Sequence, residues 1–253
     1  MLTNPTIEKL KKMKLNRMAE EYANPPEGAA AMNFDDRFGL MVEKEWLAKH
    51  NRRINNLMKN ARFRISNACL EDIRWEGRNP ECRQVLNALG DTNYIEKRLN
   101  ILITGKTGCG KTFISNALGV AACRRLKKVR YVRVPELLLD LAEARTECNS
   151  RYKKVMNQLN KTDLLIIDDL GLRKYSLEES YDIYELVQAR YDNGSMIIDS
   201  QLPTECWYEL FPNPTVADGI MDRVMNSSYK LELETKQSMR RLAGDMPSDN
   251  PTD

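Results

Sequence analysis

The sequence predicts an α/β fold: a mostly parallel sheet flanked by helices, preceded by a small all-α region. Strand-like and helix-like segments alternate from residue 99 onward, the order that parallel strands joined by crossover helices require. Leu99 to Ile103 reads as a buried strand, and Tyr229 to Leu233 alternates as a strand does. The first hundred residues lack a strong strand pattern and repeat apolar residues at helical spacing instead.

Ile7, Leu10 and Met13 mark a first helix, and Asn24-Pro25-Pro26-Glu27-Gly28 separates it from the next. Asn33 is placed to cap a second helix whose first turn carries Asp35 and Asp36. Phe38, Met41, Val42 and Trp46 continue that helix to about Arg62. Residues 66–98 read as short helices and turns, with a break from Gly77 to Pro80. Leu99 to Ile103 reads as the first strand and is followed by a glycine-rich turn and a helix from Lys111 to Arg125. Val129 to Val134 is the second strand, and Pro135 suits the first turn of the next helix. Residues 151–160 form a polar helix and Leu164 to Asp168 a third strand. Ser176 and Glu179 have capping-box spacing and open a helix to about Tyr191. Met196 to Ser200 and Tyr229 to Leu233 complete five strands.

Composition excludes several chemistries. The longest aliphatic run, Leu164 to Ile167, is four residues, far short of a membrane span. The N-terminal stretch MLTNPTIEKLKKMK has no apolar signal core, so the expected location is cytoplasmic. His50 is the one histidine, which disfavours multi-histidine metal sites and Ser-His-Asp triads. The six cysteines form no C-x-x-C pair and read as reduced thiols. Net charge is only +3, but it is clustered: residues 49–64 and 124–130 carry lysines and arginines with no acid. Such clusters point to a polyanionic partner. The Arg124 to Arg130 cluster also suits a solvated helix end, where cations favour the dipole. Trp46, Trp75 and Trp207 are expected to anchor the core.

Gly105-Lys106-Thr107-Gly108-Cys109-Gly110-Lys111-Thr112 fits the phosphate-loop pattern G-x-x-x-x-G-K-[ST]. Glycines let the backbone curl with its N–H groups inward, and the following helix offers its positive end to an anion. Lys111 would reach the β- and γ-phosphates, and Thr112 would help hold Mg²⁺. Cys109 reads as a tolerated small residue rather than a nucleophile. Leu164 to Asp169 is an aliphatic strand ending in two acids at the sheet's carboxyl edge. Asp168 would complete the Mg²⁺ shell, and Asp169 would orient or deprotonate the attacking water.

These residues resemble AAA+ ATPases of the DnaC/IstB type, the IstB branch most closely. The resemblance extends to Phe34-Asp35-Asp36-Arg37-Phe38, Glu45-Trp46-Leu47, Asp168-Asp169-Leu170-Gly171, Ser200-Gln201-Leu202-Pro203, Asp222-Arg223 and Ser238-Met239-Arg240. It implies a P-loop NTPase AAA+ core with a reduced C-terminal lid, since only twenty residues follow Leu233. On that reading, 1–65 is a helical N-terminal domain, 66–98 a linker, 99–241 the ATPase core and 242–253 an acidic tail. The phosphates of ATP would lie on residues 105–112 with Phe113 directly behind them. Gln201 stands at the sensor 1 position, Arg223 at the arginine finger that acts on a neighbouring subunit's site, and Arg240, beside Arg241, at sensor 2. Asp169 stands where many AAA+ proteins carry Glu.

The implied function is that of an ATP-dependent helper of an insertion-sequence transposase. Such a helper would oligomerise on duplex DNA with ATP and Mg²⁺ and recruit or activate an IstA-like transposase. The alternative on the same fold is a DnaC-like helicase loader that prefers single-stranded DNA. Two zones would meet DNA phosphates: the basic helix with Arg52, Arg53, Lys59 and Arg62, and the insertion with Arg145, Arg151, Lys153 and Lys154.

Overall fold

The computed structural model describes residues 4–75 and 80–234, apart from the side chains of Ala30, Pro80 and Glu81. The predicted break at 77–80 falls mostly outside them, and Arg240, Arg241 and the acidic tail fall wholly outside. The chain forms two compact units, Met1–Asn56 and Leu57–Asp253.

The first unit is helical. α1 (Pro5–Lys12) begins where Asn4 Oδ1 accepts from Thr6 N at 2.9 Å and Pro5 occupies the first turn. α2 (Asn16–Ala23) has no side-chain cap of its own. Glu45, on α3 (Phe34–Ala61), supplies one from a distance, its Oε2 accepting from Arg17 N at 2.8 Å and Met18 N at 3.2 Å. Asn33 caps α3 as expected, accepting from Asp36 N at 2.8 Å.

Trp46 departs from expectation. It is 55% exposed and stacks on His50 at 4.8 Å, while Phe34, 77% exposed, stacks on Phe38 at 5.7 Å. Aromatic spacing identified the helix but could not say which face neighbours would cover. Trp207, by contrast, is 2% exposed and anchors one core cluster as predicted, and Trp75 is partly buried against a second cluster that contains Ile101 and Ile103.

The second unit holds the sheet. After α4 (Pro80–Leu89) and α5 (Asn93–Glu96), five strands alternate with helices. They are β1 (Asn100–Thr104), β2 (Val129–Arg133), β3 (Leu164–Leu170), β4 (Ser195–Ser200) and β5 (Ser228–Glu232). Among the described residues all pairings are parallel, in the order β2-β3-β4-β1-β5, which puts β2 at an edge. Alternate residues feed opposite faces. Ile101, Ile103, Leu164, Ile166 and Ile197 pack with α6 (Lys111–Arg124). Leu102, Leu165, Ile167 and Ile198 pack with α7 (Val134–Glu147), α9 (Leu177–Arg190) and α10 (Pro214–Met225). α8 (Asn149–Asn160) follows α7 directly and covers the polar segment expected to be helical.

α6 lies close to the sheet because residue 119 has no side chain. A Cβ there would sit 2.7 Å from Ile166 Cδ1 and 2.5 Å from the Phe63 ring. The capping box at α9 is complete: Ser176 Oγ accepts from Glu179 N, and Glu179 accepts from Ser176 N at 2.8 Å.

Candidate functional site

β1 ends at Thr104 and the chain turns into the phosphate loop at the carboxyl edge of the sheet. Gly105 has φ +147°, and a Cβ there would lie 2.4 Å from Leu233 O, so only glycine fits. Gly110, at φ +88°, turns the chain into α6, whose first residue is Lys111. The Lys111 amine is held over the loop, donating to Gly105 O at 2.5 Å and Lys106 O at 3.1 Å. Cys109 is buried beneath it, with Sγ 3.8 Å from Nζ.

The two acids expected beside the loop are there. β3 runs two residues beyond its predicted end, and its register against β4 shifts between Ile167 and Leu170. The shift re-aims the two aspartates, as strand irregularities beside active sites do. Asp169 takes φ +62°, a costly conformation for a residue with a side chain. Asp168 is 1% exposed and accepts three hydrogen bonds. Thr112 Oγ1 donates to Oδ2 at 2.9 Å, Tyr131 OH to the same oxygen at 2.7 Å, and Asp169 N to Oδ1 at 2.8 Å. Burial and that bond to Asp168 both push the Tyr131 phenol well above its ordinary pKa. Asp169 is gripped by Arg133, whose Nε and Nη2 reach its Oδ2 at 2.9 and 2.8 Å. Gln201, just past β4, accepts from Thr107 Oγ1 at 2.7 Å. Its neighbour Ser200 is structural, donating to Leu170 O and accepting from Leu202 N.

A cavity of about 580 Å³ opens over this group. Thr107, Gly108, Gly110, Lys111 and Thr112 form its floor, and Phe113, Asp169 and Gln201 close one side. The opposite wall comes from Arg64, Ile65, Asp72, Ile73 and Arg74. Sequence reasoning had assigned most of that wall to a linker. Buried Asn116 ties it to α6, accepting from Ile65 N at 3.1 Å while donating to Thr112 O at 2.7 Å.

Tyr131 and Arg133 were also missed. Their i, i+2 spacing on β2 was visible, but their role depends on the register that sets Arg133 opposite Asp168. Asp199 is a third omission. It is wholly buried on β4, and neither carboxyl oxygen has a close hydrogen-bond partner among the described residues. Burial, reinforced by nearby Asp168, holds its carboxyl well above the usual carboxylate range.

The residue pattern fits a nucleoside triphosphate with a divalent cation. A helix N-terminus and a lysine face the cavity, and the adjoining oxygens of Thr112 and Asp168 are the hard donors Mg²⁺ takes. Other expected residues lie elsewhere. Arg223, on α10, donates to Gly219 O at 2.8 Å and packs over the rings of Tyr184 and Tyr191, so it does not line its own chain's cavity. Arg145 pairs with Glu178 and Asp182, and Arg151 with Glu147. Lys153 and Lys154 are exposed and make no ion pair among the described residues, while Arg52, Arg53, Lys59 and Arg62 are exposed along and just past α3.

Residues 8–244 match the family model described as IstB-like ATP binding protein. The chain is 33% identical over 243 residues to the "Putative insertion sequence ATP-binding protein y4pL" of Sinorhizobium fredii, covering 95% of this chain and 98% of the relative. It is 34% identical over 209 residues to the "Insertion sequence IS1162 putative ATP-binding protein" of Pseudomonas fluorescens, covering 81% of this chain and 88% of the relative. Among solved structures, the DnaC helicase loader superposes with a TM-score of 0.57 at 16% identity, covering 66% of this chain and 97% of that one. That likeness concerns the fold, a P-loop AAA+ core. No helix among the described residues is long and apolar enough to cross a membrane.

Proposed function

The chain belongs to the family of IstB-like ATP binding proteins, and from that membership we propose that it is an ATP-hydrolysing, DNA-binding helper of an insertion-sequence transposase. The observation that carries the reading is the Thr112–Asp168 hydrogen bond at 2.9 Å beside the Lys111 loop. That bond supports a reading in which one group would hold the phosphates and its neighbour the cation.

ATP would lie with its phosphates on residues 105–112 and its base toward the wall of Ile65 and Ile73. Lys111 would exchange its two carbonyl partners for phosphate oxygens, and the amino end of α6 would add its dipole. Thr112 and Asp168 would hold Mg²⁺, which supplies neutralisation of the β- and γ-phosphate charge when bound. Asp169 would take the proton of the attacking water as its oxygen bonds to the γ-phosphorus. The γ-phosphorus bond to the bridging oxygen then breaks, leaving ADP and inorganic phosphate. Gln201, positioned through Thr107, would orient that water. Arg223 would serve the site of a neighbouring subunit, which makes turnover depend on assembly.

The test is DNA binding and particle size at fixed salt, on duplex and single strands, with ATP, ADP or no nucleotide. ATP-dependent multimers on duplex are expected, and Lys111→Ala should abolish both nucleotide binding and assembly. Preference for single strands would replace this reading with helicase loading. Binding indifferent to nucleotide would overturn the link between the ATP site and DNA.

A further inference from the structure

The guanidinium of Arg223 rests on aromatic rings rather than on a carboxylate. Its Cζ lies 5.6 Å from the ring centre of Tyr184 and 5.8 Å from that of Tyr191, both within cation–π reach. Tyr184 lies within α9 and Tyr191 follows its last residue, seven positions on, so two helical turns bring the rings to one face. α9 packs against α10, which carries Arg223. Gly219 makes room for the arrangement: a Cβ there would lie 2.6 Å from Tyr184 Cε2. The Gly219 carbonyl oxygen also accepts from Arg223 Nη1 at 2.8 Å. Arg223 stands in the last turn of α10, where the helix dipole favours a cation.

Two comparisons set this arginine apart from one that only packs. Arg190, on α9, spends its guanidinium on the structure, donating to Leu159 O, Thr162 O, Thr162 Oγ1 and Ser195 O. Arg223 spends a single bond, the one to Gly219 O. Arg223 also makes no ion pair among the described residues, although Asp222 precedes it; that carboxylate accepts from Asn226 Nδ2 at 2.6 Å instead. A carboxylate partner would have to be displaced before the guanidinium could serve a phosphate. A ring face attracts the cation and takes none of its N–H groups.

We propose that Tyr184 and Tyr191 are positioning residues for the arginine finger: their ring faces order the Arg223 guanidinium and leave its fork of donors for the γ-phosphate in a neighbouring subunit's site. The inference rests on the reading of Arg223 as a finger acting in trans and adds what holds it. Neither tyrosine touches the chain's own ATP cavity.

The experiment uses the full chain with ATP and duplex DNA. It compares the parent with Tyr184→Leu and Tyr191→Leu, singly and together, with the matching phenylalanine variants, and with Arg223→Ala. ATP affinity, particle size and DNA-stimulated turnover are measured on each. The double leucine variant should bind ATP and assemble as the parent does. Its KM should stay within about twofold while kcat falls about 10- to 100-fold, the loss expected of a reacting group misplaced rather than removed. The phenylalanine variants keep the ring faces and should turn over at close to the parent rate. Mixing the double leucine variant with Asp169→Asn should restore part of the turnover, because one keeps a complete ATP site and the other supplies an ordered finger. Tyr191→Leu alone, at a ring 43% exposed, carries the test should Tyr184→Leu melt early. Parent-like kcat in the leucine variants, while Arg223→Ala loses turnover, overturns the role of the tyrosines and leaves the finger intact. So does equal loss in the phenylalanine variants, or no recovery on mixing. Smaller particles in the leucine variants would make the tyrosines part of the subunit contact and overturn the positioning role. Parent-like turnover in Arg223→Ala removes the finger, and this inference with it.

Discussion

Asp169 shows how one side chain can be prepared and restrained by the same neighbours. Its backbone is in a left-handed conformation, its carboxylate is fixed by Arg133, and it faces the cavity beside Gln201 and Lys111. Asp169→Asn keeps the shape and the contact but cannot accept a proton. ATP affinity should stay within a fewfold of the parent, while turnover falls about 100-fold or more. Filter binding and phosphate release on the same preparation separate the two effects. Residues of this kind divide into legible and illegible. The placement of Lys111, Thr112 and Asp168 together was readable because local motifs set it. Tyr131, Arg133 and Asn116 were not, because each acts through a partner distant in sequence, and Asp199 was not, because its burial depends on how β4 packs.

Elements were legible where one signal dominates. Apolar runs such as Leu164 to Ile167 and alternation at Tyr229 to Leu233 marked strands, and the capping spacing marked the start of α9. β3 overran its predicted end because acids with low strand preference are held there by pairing and by Arg133. Three predictions belong at this scale. Ser176→Ala removes the α9 cap and should cost about 1 kcal/mol in denaturant melts. Glu179, paired with Arg173 and bonded to Ser176 N, sits at about 2 against an ordinary 4.5. A lowered acid stabilises the fold in full above 4.5 and loses that contribution as pH falls toward 2. The gap in melting temperature between the parent and Glu179→Ala should therefore hold constant above pH 5 and close below it. It should be small, because the Arg173 partner is exposed. Gly119→Ala forces a methyl against Phe63 and Ile166 and should cost about 1–3 kcal/mol, read from the same melts.

At the scale of the molecule, the α/β class and the strand sequence followed from alternation alone. What did not follow was which surfaces stay open. The open edge of β2 depends on strand order, and the wall of residues 64–74 depends on how segments distant in sequence return to the loop. The proposed assembly makes its own demand. Arg223 lies away from its own cavity, so Arg223→Ala should leave ATP affinity within a fewfold of the parent. DNA-stimulated turnover should drop about 1000-fold or more, the usual measure of an arginine finger. Mixing this variant with Asp169→Asn, which keeps ATP binding, tests the arrangement in trans: some activity should return, since each supplies what the other lacks. No recovery at any ratio would remove Arg223 from that role.

The stacked, solvent-facing pair of Trp46 and His50 gives the helical unit its own optical signal. An indole in water emits to the red of one sealed in a core, so Trp46 and Trp207 differ in colour as well as in address. Whatever settles over that stretch of α3 will shift the long-wavelength emission to the blue, with no dye attached. Trp46→Phe supplies the blank. The same spectrum carries a control, since the emission of Trp207 holds steady for as long as the other unit stays folded.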